Sequence, residues 1–287
     1  MSAALFPITV ESMKNPEDGV CLQGIEFWSN VCDEEYDLAY EAQEAWNKGQ
    51  PPAKQSFHYA KGALPHLTPI LCETLTRQDE HDCEDDWTPG KAAGVCLQLL
   101  SQITEDEILD KILPFVQEKI NSPDWKYRDA AVVALGSILD GPTPSKLESL
   151  LQPAIATIVN LFNDSSVAVR DSTAWCIGKI CETVPILALN DQIFEPLLKA
   201  LVDGLSHFIV IHKIFFNFEL VFCLWSIMSY PPRVASNVCW TIKSLVEAVY
   251  NSAENINEDT DNVVTYKLSP YFQHIIKKLS KSLQKNL

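Results

Sequence analysis

The chain is 287 residues long, 47% apolar and 21% charged, with a formal net charge of −16. That composition is globular, and so strong a negative charge argues against nucleic acid and anionic membranes as partners and favours basic ones. Nine cysteines, an odd number without a paired framework or zinc-ligand spacing, read as reduced thiols, several of them (Cys96, Cys176, Cys181 and Cys239) inside apolar helical runs.

The opening residues, Met1-Ser-Ala-Ala-Leu-Phe-Pro7, lack the basic-then-apolar layout of a signal peptide. Residues 20–32 predict a buried helix and 33–48 a separate acidic one, stopped by Gly-Gln-Pro-Pro at 49–52. The stretch 59–77 is apolar at helical spacing, with Pro65 and Pro69 placed to kink it. Asp79, Glu80, Asp82, Glu84, Asp85 and Asp86 then form an acidic loop at 79–86, closed by Trp87 ahead of a helix over 89–101. Helix pairs follow at 104–120 with 124–139, at 144–163 with 165–182, and at 190–205 with 232–250. Pro123, Pro142 and Pro144 mark the joins. An acidic, Asn-rich linker at 251–262 leads to a last helix, 267–285, with a basic end.

Residues 207–231 break this order, holding five of the twelve Phe and only two formal charges, Lys213 and Glu219. The length suits a membrane span, but Lys213, Asn217 and Glu219 would then sit in hydrocarbon. A span would also tear a repeat in two. The segment reads as an insert foreign to the fold, such as a retained intron, between a repeat region at 1–206 and its continuation at 232–287.

Two segments are one helix written twice, 42 residues apart: Tyr127-Arg-Asp-Ala-Ala-Val-Val-Ala-Leu-Gly-Ser-Ile-Leu139 and Val169-Arg-Asp-Ser-Thr-Ala-Trp-Cys-Ile-Gly-Lys-Ile-Cys181. That period marks stacked helix pairs. The predicted fold is all-α, a right-handed α-solenoid of HEAT/armadillo-type helix pairs.

On the second copy Asp171, Trp175 and Glu182 fall within about 40° of one another at 100° per residue. The same offsets give Asp129, Val133 and Asp140 on the helix before, and Ser236, Trp240 and Glu247 on the one after. A Trp face flanked by carboxylates suits the aliphatic stem and charged head of Lys or Arg. Spacing alone leaves a second reading open, in which the aspartates form a ladder between repeats and the tryptophans are core. The acidic loop likewise reads either as a solvated turn or as a binding element. No Gly-rich phosphate loop, metal cluster or nucleophile–base arrangement points to an enzyme, and no cofactor or metal is expected.

Leu22-Gln-Gly-Ile-Glu-Phe-Trp-Ser-Asn-Val-Cys-Asp-Glu-Glu35, Asp85-Asp-Trp87, Lys91-Ala-Ala-Gly-Val-Cys96, Pro123-Asp-Trp-Lys-Tyr-Arg-Asp-Ala-Ala131, Val169-Arg-Asp171 with Ala174-Trp175, and Arg233-Val-Ala-Ser-Asn-Val-Cys-Trp240 closely resemble the importin-β (karyopherin-β) family. The resemblance runs over roughly 4–206 and 232–279. It implies a HEAT-repeat superhelix that carries cargo through nuclear pores, in cytoplasm and nucleus. Its implied partners are the importin-β-binding segment of importin-α, basic cargo signals, Ran-GTP and Phe-Gly nucleoporins.

By that resemblance Trp87, Trp175 and Trp240 match tryptophans that line the basic helix. Asp129, Asp171, Glu182 and Glu247 match acids of the same inner surface, and loop 79–86 matches the family's acidic loop, which meets both Ran and the basic ligand. The family's chains are much longer. This one is expected to correspond to an interior piece, with a partial Ran site. The spacing from Trp175 to Trp240 exceeds the family's by roughly the length of the insert. A generic HEAT scaffold, or a truncated product without activity of its own, are the other readings.

Overall fold

The computed structural model describes residues 4–78, 86–206 and 233–254, and every regular element within them is helical. The chain divides into two compact units, Met1–Leu147 and Glu148–Leu287. The first contains α1 (Leu5–Met13), α2 (Asp18–Asn47), α3 (Tyr59–Thr74), α4 (Pro89–Thr104), a 3₁₀ turn at Glu105–Ile108, α5 (Leu109–Lys119) and α6 (Trp125–Ser137). Helix α7 (Pro144–Leu151) leads into the second, with α8 (Ile155–Asn160), α9 (Val167–Thr183), α10 (Pro185–Ala188), α11 (Asp191–Ser206) and α12 (Arg233–Glu254).

Within the first unit α2 packs on α1 and α4, α3 on α4, and α5 on α6. Gly24 permits the close approach of α1, because a Cβ there would overlap Ser12 Oγ and crowd the Met13 backbone. Trp28 is fully buried in the same seam, edge-on to Phe6 with ring centroids 5.8 Å apart. The expected break between 32 and 33 does not exist. No Gly or Pro interrupts α2 after Gly24, so helix propagation continues to Asn47 and stops at Gly49, whose φ of 69° suits a residue without Cβ.

Helix α1 was not legible in the sequence, because Pro7 and a short apolar run hid it. The expected helix 144–163 is divided in two, with Pro153 in the turn between α7 and α8. Four-residue α10, begun by Pro185, also escaped the pattern. The acidic loop at 79–85, the insert at 207–231 and the helix at 267–285 lie outside the described residues. Among the described residues no helix is long and apolar enough to cross a membrane.

The 42-residue repeat extends to the hydrogen bonds. Arg128 donates through Nη1 to the carbonyls of Ser122 (2.8 Å) and Pro123 (3.0 Å). Arg170 donates to those of Asp164 (2.6 Å) and Ser165 (3.2 Å), the same positions one repeat later. Asp124 N–H donates to Ser122 Oγ, and Ser166 N–H to Asp164 Oδ1. Each arginine thus fixes the turn that starts its own helix. α6 and α9 bury Ala130, Ala131 and Ala134, and Thr173, Ala174 and Cys176, small residues that let a central helix be covered on several sides.

Candidate functional site

The sequence stripe divides into buried and exposed members. Asp129 and Asp171 are 2% and 3% exposed. In the first unit Gln78 Nε2 donates to Asp129 Oδ2 at 2.5 Å, and in the second Asn237 Nδ2 donates to Asp171 Oδ1 at 2.8 Å. Both aspartates therefore join their helix to a neighbouring element, as the ladder reading has it, and each does so through a side-chain amide. A buried carboxylate needs such donors, since desolvation without them is costly. Neither presents a free carboxylate on the surface.

α12 is fixed to α9 by a polar ladder. Asn237, Thr241 and Ser244 lie one helical turn apart and face α9, donating to Asp171 Oδ1, to the Ala174 carbonyl (2.6 Å) and to Glu182 Oε1 (3.2 Å). Between the rungs Trp240, half-buried, lies over Gly178, where a Cβ would run into its Cζ3 and Cε3. The glycine repeated between the two copies is thus, in α9, the seat of the next repeat's tryptophan. Trp175 is also half-buried.

Glu182 and Glu247 are exposed. They line one open groove of about 1020 Å³ together with Asp191, Pro185, Ile186 and Ala248. Glu247 carries an i,i+4 pair with Lys243 at 3.1 Å, and Ile186 is 59% exposed on the groove wall. Three carboxylates beside apolar surface can take a chain that is basic at intervals and aliphatic between. Sequence reasoning named both glutamates but missed Ile186, because α10 carries no periodic signal, and passed over Asp191 at the start of α11.

In the first unit Trp87 is 52% exposed, one residue before Thr88, whose hydroxyl accepts from Lys91 N–H as the cap of α4. Lys91 Nζ donates to the Asp86 carbonyl at 2.6 Å and so pins the C-terminal end of the acidic loop. Asp140 is exposed and accepts from Gln98 Nε2 at 3.0 Å, while Val133 is half-buried. The structure brings Glu182, Trp240 and Glu247 onto one pair of helices. Asp79, Glu80, Asp82, Glu84 and Asp85 lie outside the described residues, as does the side chain of Ser236.

The described cysteines are inert by position. Burial pushes the thiols of Cys72, Cys96, Cys176 and Cys181 up to about 12.

A model of the HEAT-like repeat matches residues 125–180, the two copies that carry the arginine clamps. Paired helices, a repeated clamp and an inter-helix ladder define a HEAT-repeat α-solenoid protein. The chain is 35% identical over 277 residues to importin subunit beta-1 of Schizosaccharomyces pombe, covering 96% of this chain and 28% of the relative. It is 36% identical over 247 residues to importin subunit beta-1 of Saccharomyces cerevisiae, covering 86% of this chain and 26% of the relative. Solved structures of Kap95p with RanGDP and with Nup1 superpose with a TM-score of 0.77 at 33% identity, over 96% of this chain and 28% of theirs. The chain belongs to the importin-β (karyopherin-β) family, and it spans about 28% of the length of these relatives.

Proposed function

We propose that this chain serves nuclear import as part of a transport receptor, holding a basic segment on the α9–α12 face. The single observation that carries the reading is the convergence of Glu182, Glu247 and Asp191 on one groove beside exposed Ile186. Lysine or arginine heads pair with the carboxylates, and their stems lie on Trp175, Trp240 and Ile186. Asp129 and Asp171 act one step removed, by keeping the neighbouring elements in place.

The basic segment is the importin-β-binding region of importin-α or a basic signal on cargo. Trp87 and the acidic loop at 79–86 supply a separate contact for the same ligand and for Ran. Family membership and the two Kap95p complexes support Ran and Phe-Gly nucleoporins as further partners, in cytoplasm and nucleus. The insert at 207–231 separates the solenoid region at 1–206 from its continuation at 232–287. This is binding chemistry, with no enzymatic step.

The test is fluorescence anisotropy of a labelled importin-β-binding peptide with the full chain and with a version lacking 207–231, across a salt series. Binding by both, with affinity falling steeply as salt rises, is the expected result. Absence of binding by both forms rejects the receptor reading.

A further inference from the structure

Five of the six exposed aromatic side chains among the described residues crowd one corner of the first unit: Tyr36, Tyr40, Trp46, Phe57 and Tyr59. The corner is built by α2. Up to Glu35 this helix buries Cys21, Ile25, Trp28 and Cys32; past Glu35 none of its residues is buried. Residues 36–47 thus project beyond the packed core. They remain helical through alanines at 39, 42 and 45, the Gln43–Asn47 amide contact (3.1 Å) and the Glu44–Lys48 pair (2.7 Å).

The projection has two adjoining stripes. At 100° per residue Tyr36, Tyr40, Gln43 and Asn47 fall within about 60° of one another, and Trp46 borders them. Asp33, Glu44 and Asp37 follow on one side, about 60–100° around from Tyr36, with Glu34 and Glu41 beyond them. Lys48 is the only basic residue at this end of the helix, and it is bound to Glu44. The C-terminal carbonyls of α2 add to the negative potential.

The second wall is held in place by Glu35. Its buried carboxylate accepts from Ser56 Oγ (2.9 Å), Tyr59 N–H (2.7 Å) and Ala60 N–H (3.1 Å). The segment carrying Phe57 and Tyr59 is thereby tied to α2 one residue from Tyr36. Phe57 and Tyr59 pack on each other with centroids 5.6 Å apart, although Phe57 is 79% exposed.

A cluster of exposed aromatics on a soluble surface marks an interaction site. Here its charge selects the occupant. We propose that the projecting end of α2 docks a basic peptide segment of a partner protein, with arginine or lysine stems across Tyr36 and Tyr40, their heads on Asp33 and Asp37, and Trp46 on the far side of the tyrosines against the segment's apolar side chains. The surface is distinct from the α9–α12 groove and does not depend on it. Nucleic acid is repelled by the same carboxylates.

The test uses the full chain and a helical peptide with arginines four residues apart and a central benzoylphenylalanine, photo-crosslinked and mapped by mass spectrometry. Crosslinks should fall within 33–47 and 56–59. Tyr40→Ser with Trp46→Ser, both on the surface, should cut that yield at least tenfold and leave importin-β-binding peptide affinity unchanged. Trp175→Ala should leave the yield at 33–47 intact. Crosslinks confined to 175–191 and 240–251, or an undiminished yield in the double variant, would overturn the proposal. So would equal crosslinking by a control peptide with glutamine for arginine. Concentration-dependent dimerisation abolished by the double variant would assign the face to a second copy of the chain, and would also overturn it.

Discussion

The indole of Trp240 occupies the space that a side chain on Gly178 would fill, with its Cε3 and Cζ3 against the α9 backbone. The sequence stripe treats this tryptophan as a ligand-facing residue, and its contact makes it a structural wedge as well. Gly178→Ala sets two effects against each other. Alanine gains about 1 kcal/mol of helix propensity over glycine, while overpacking a seated ring costs typically 1–3 kcal/mol. The overlap falls on two ring carbons at once, so the whole indole must move to relieve it and the collision wins. Urea unfolding should show a net loss of about 1–2 kcal/mol. Unchanged stability would mean that the ring swings away freely.

Asp171 and Glu182 lie on the same helix yet should respond differently to neutralisation. Asp171→Ala strands the Asn237 amide in a buried seam, which should cost about 1–3 kcal/mol of stability. Glu182→Gln keeps a partner for Ser244 and removes only a surface charge, so stability should hold while the salt dependence of peptide binding flattens. Paired unfolding and anisotropy titrations separate the two. A Glu182→Gln variant that unfolds as readily as Asp171→Ala would remove the distinction between seam and face.

That contrast shows what the sequence carries and what it leaves open. A 42-residue period and Gly, Pro and apolar spacing are properties of the chain itself, so the repeat class and most helices were legible. Whether Asp171 faces solvent depends on Asn237, 66 residues away and across a tertiary contact, and nothing at positions 169–182 encodes that distance. Glu35 makes the same point. It sits in an acidic run, Asp33-Glu34-Glu35, that reads as a solvated helix face, yet it is 5% exposed and caps another helix. The α10 wall of the groove was hidden for a different reason: four residues that begin with a proline are too few to show a period.

Glu35→Gln tests the cap. An amide has one oxygen in place of two charged acceptors, and Tyr59 N–H, Ala60 N–H and Ser56 Oγ all depend on that carboxylate. Hydrogen bonds to a charged group are worth about 1.5–3 kcal/mol, so a loss of that order is expected. Glu34→Gln, on the exposed side of the same helix, should stay within about 0.5 kcal/mol of the parent. Amide exchange at Tyr59 and Ala60 would report the loosened start of α3. Equal stability of the two variants would show that the cap contributes little.

Thiol labelling gives a pH test. Burial moves Cys96 and Cys176 from 9.0 to about 12, so both stay protonated and unreactive in the native protein at pH 8. The direction follows from linkage. A thiol whose folded value is raised leaves stability untouched below the unfolded value and lowers it as pH rises from about 9 towards 12, because the unfolded thiols ionise first. Iodoacetamide with peptide mapping should leave Cys96 and Cys176 unmodified until urea unfolds the chain. Rapid modification in native buffer would mean that these helices open locally.

The two tryptophans on the second unit's face should separate in the same way as the two acids. Trp175 is half-buried on α9, and as an anchor for a basic stem its replacement by alanine should weaken importin-β-binding peptide by about 2 kcal/mol. Trp240→Ala removes the wedge over Gly178 as well, so it should cost stability of about 1–3 kcal/mol, less than a fully buried aromatic would, before any binding is measured. Restoring bulk with Trp240→Phe should recover most of the stability and little of the affinity, since phenylalanine refills the seat with a weaker face for a cation. Full recovery of both by phenylalanine would mean that Trp240 acts only as a packing element, and would leave Trp175 and the carboxylates to hold the ligand.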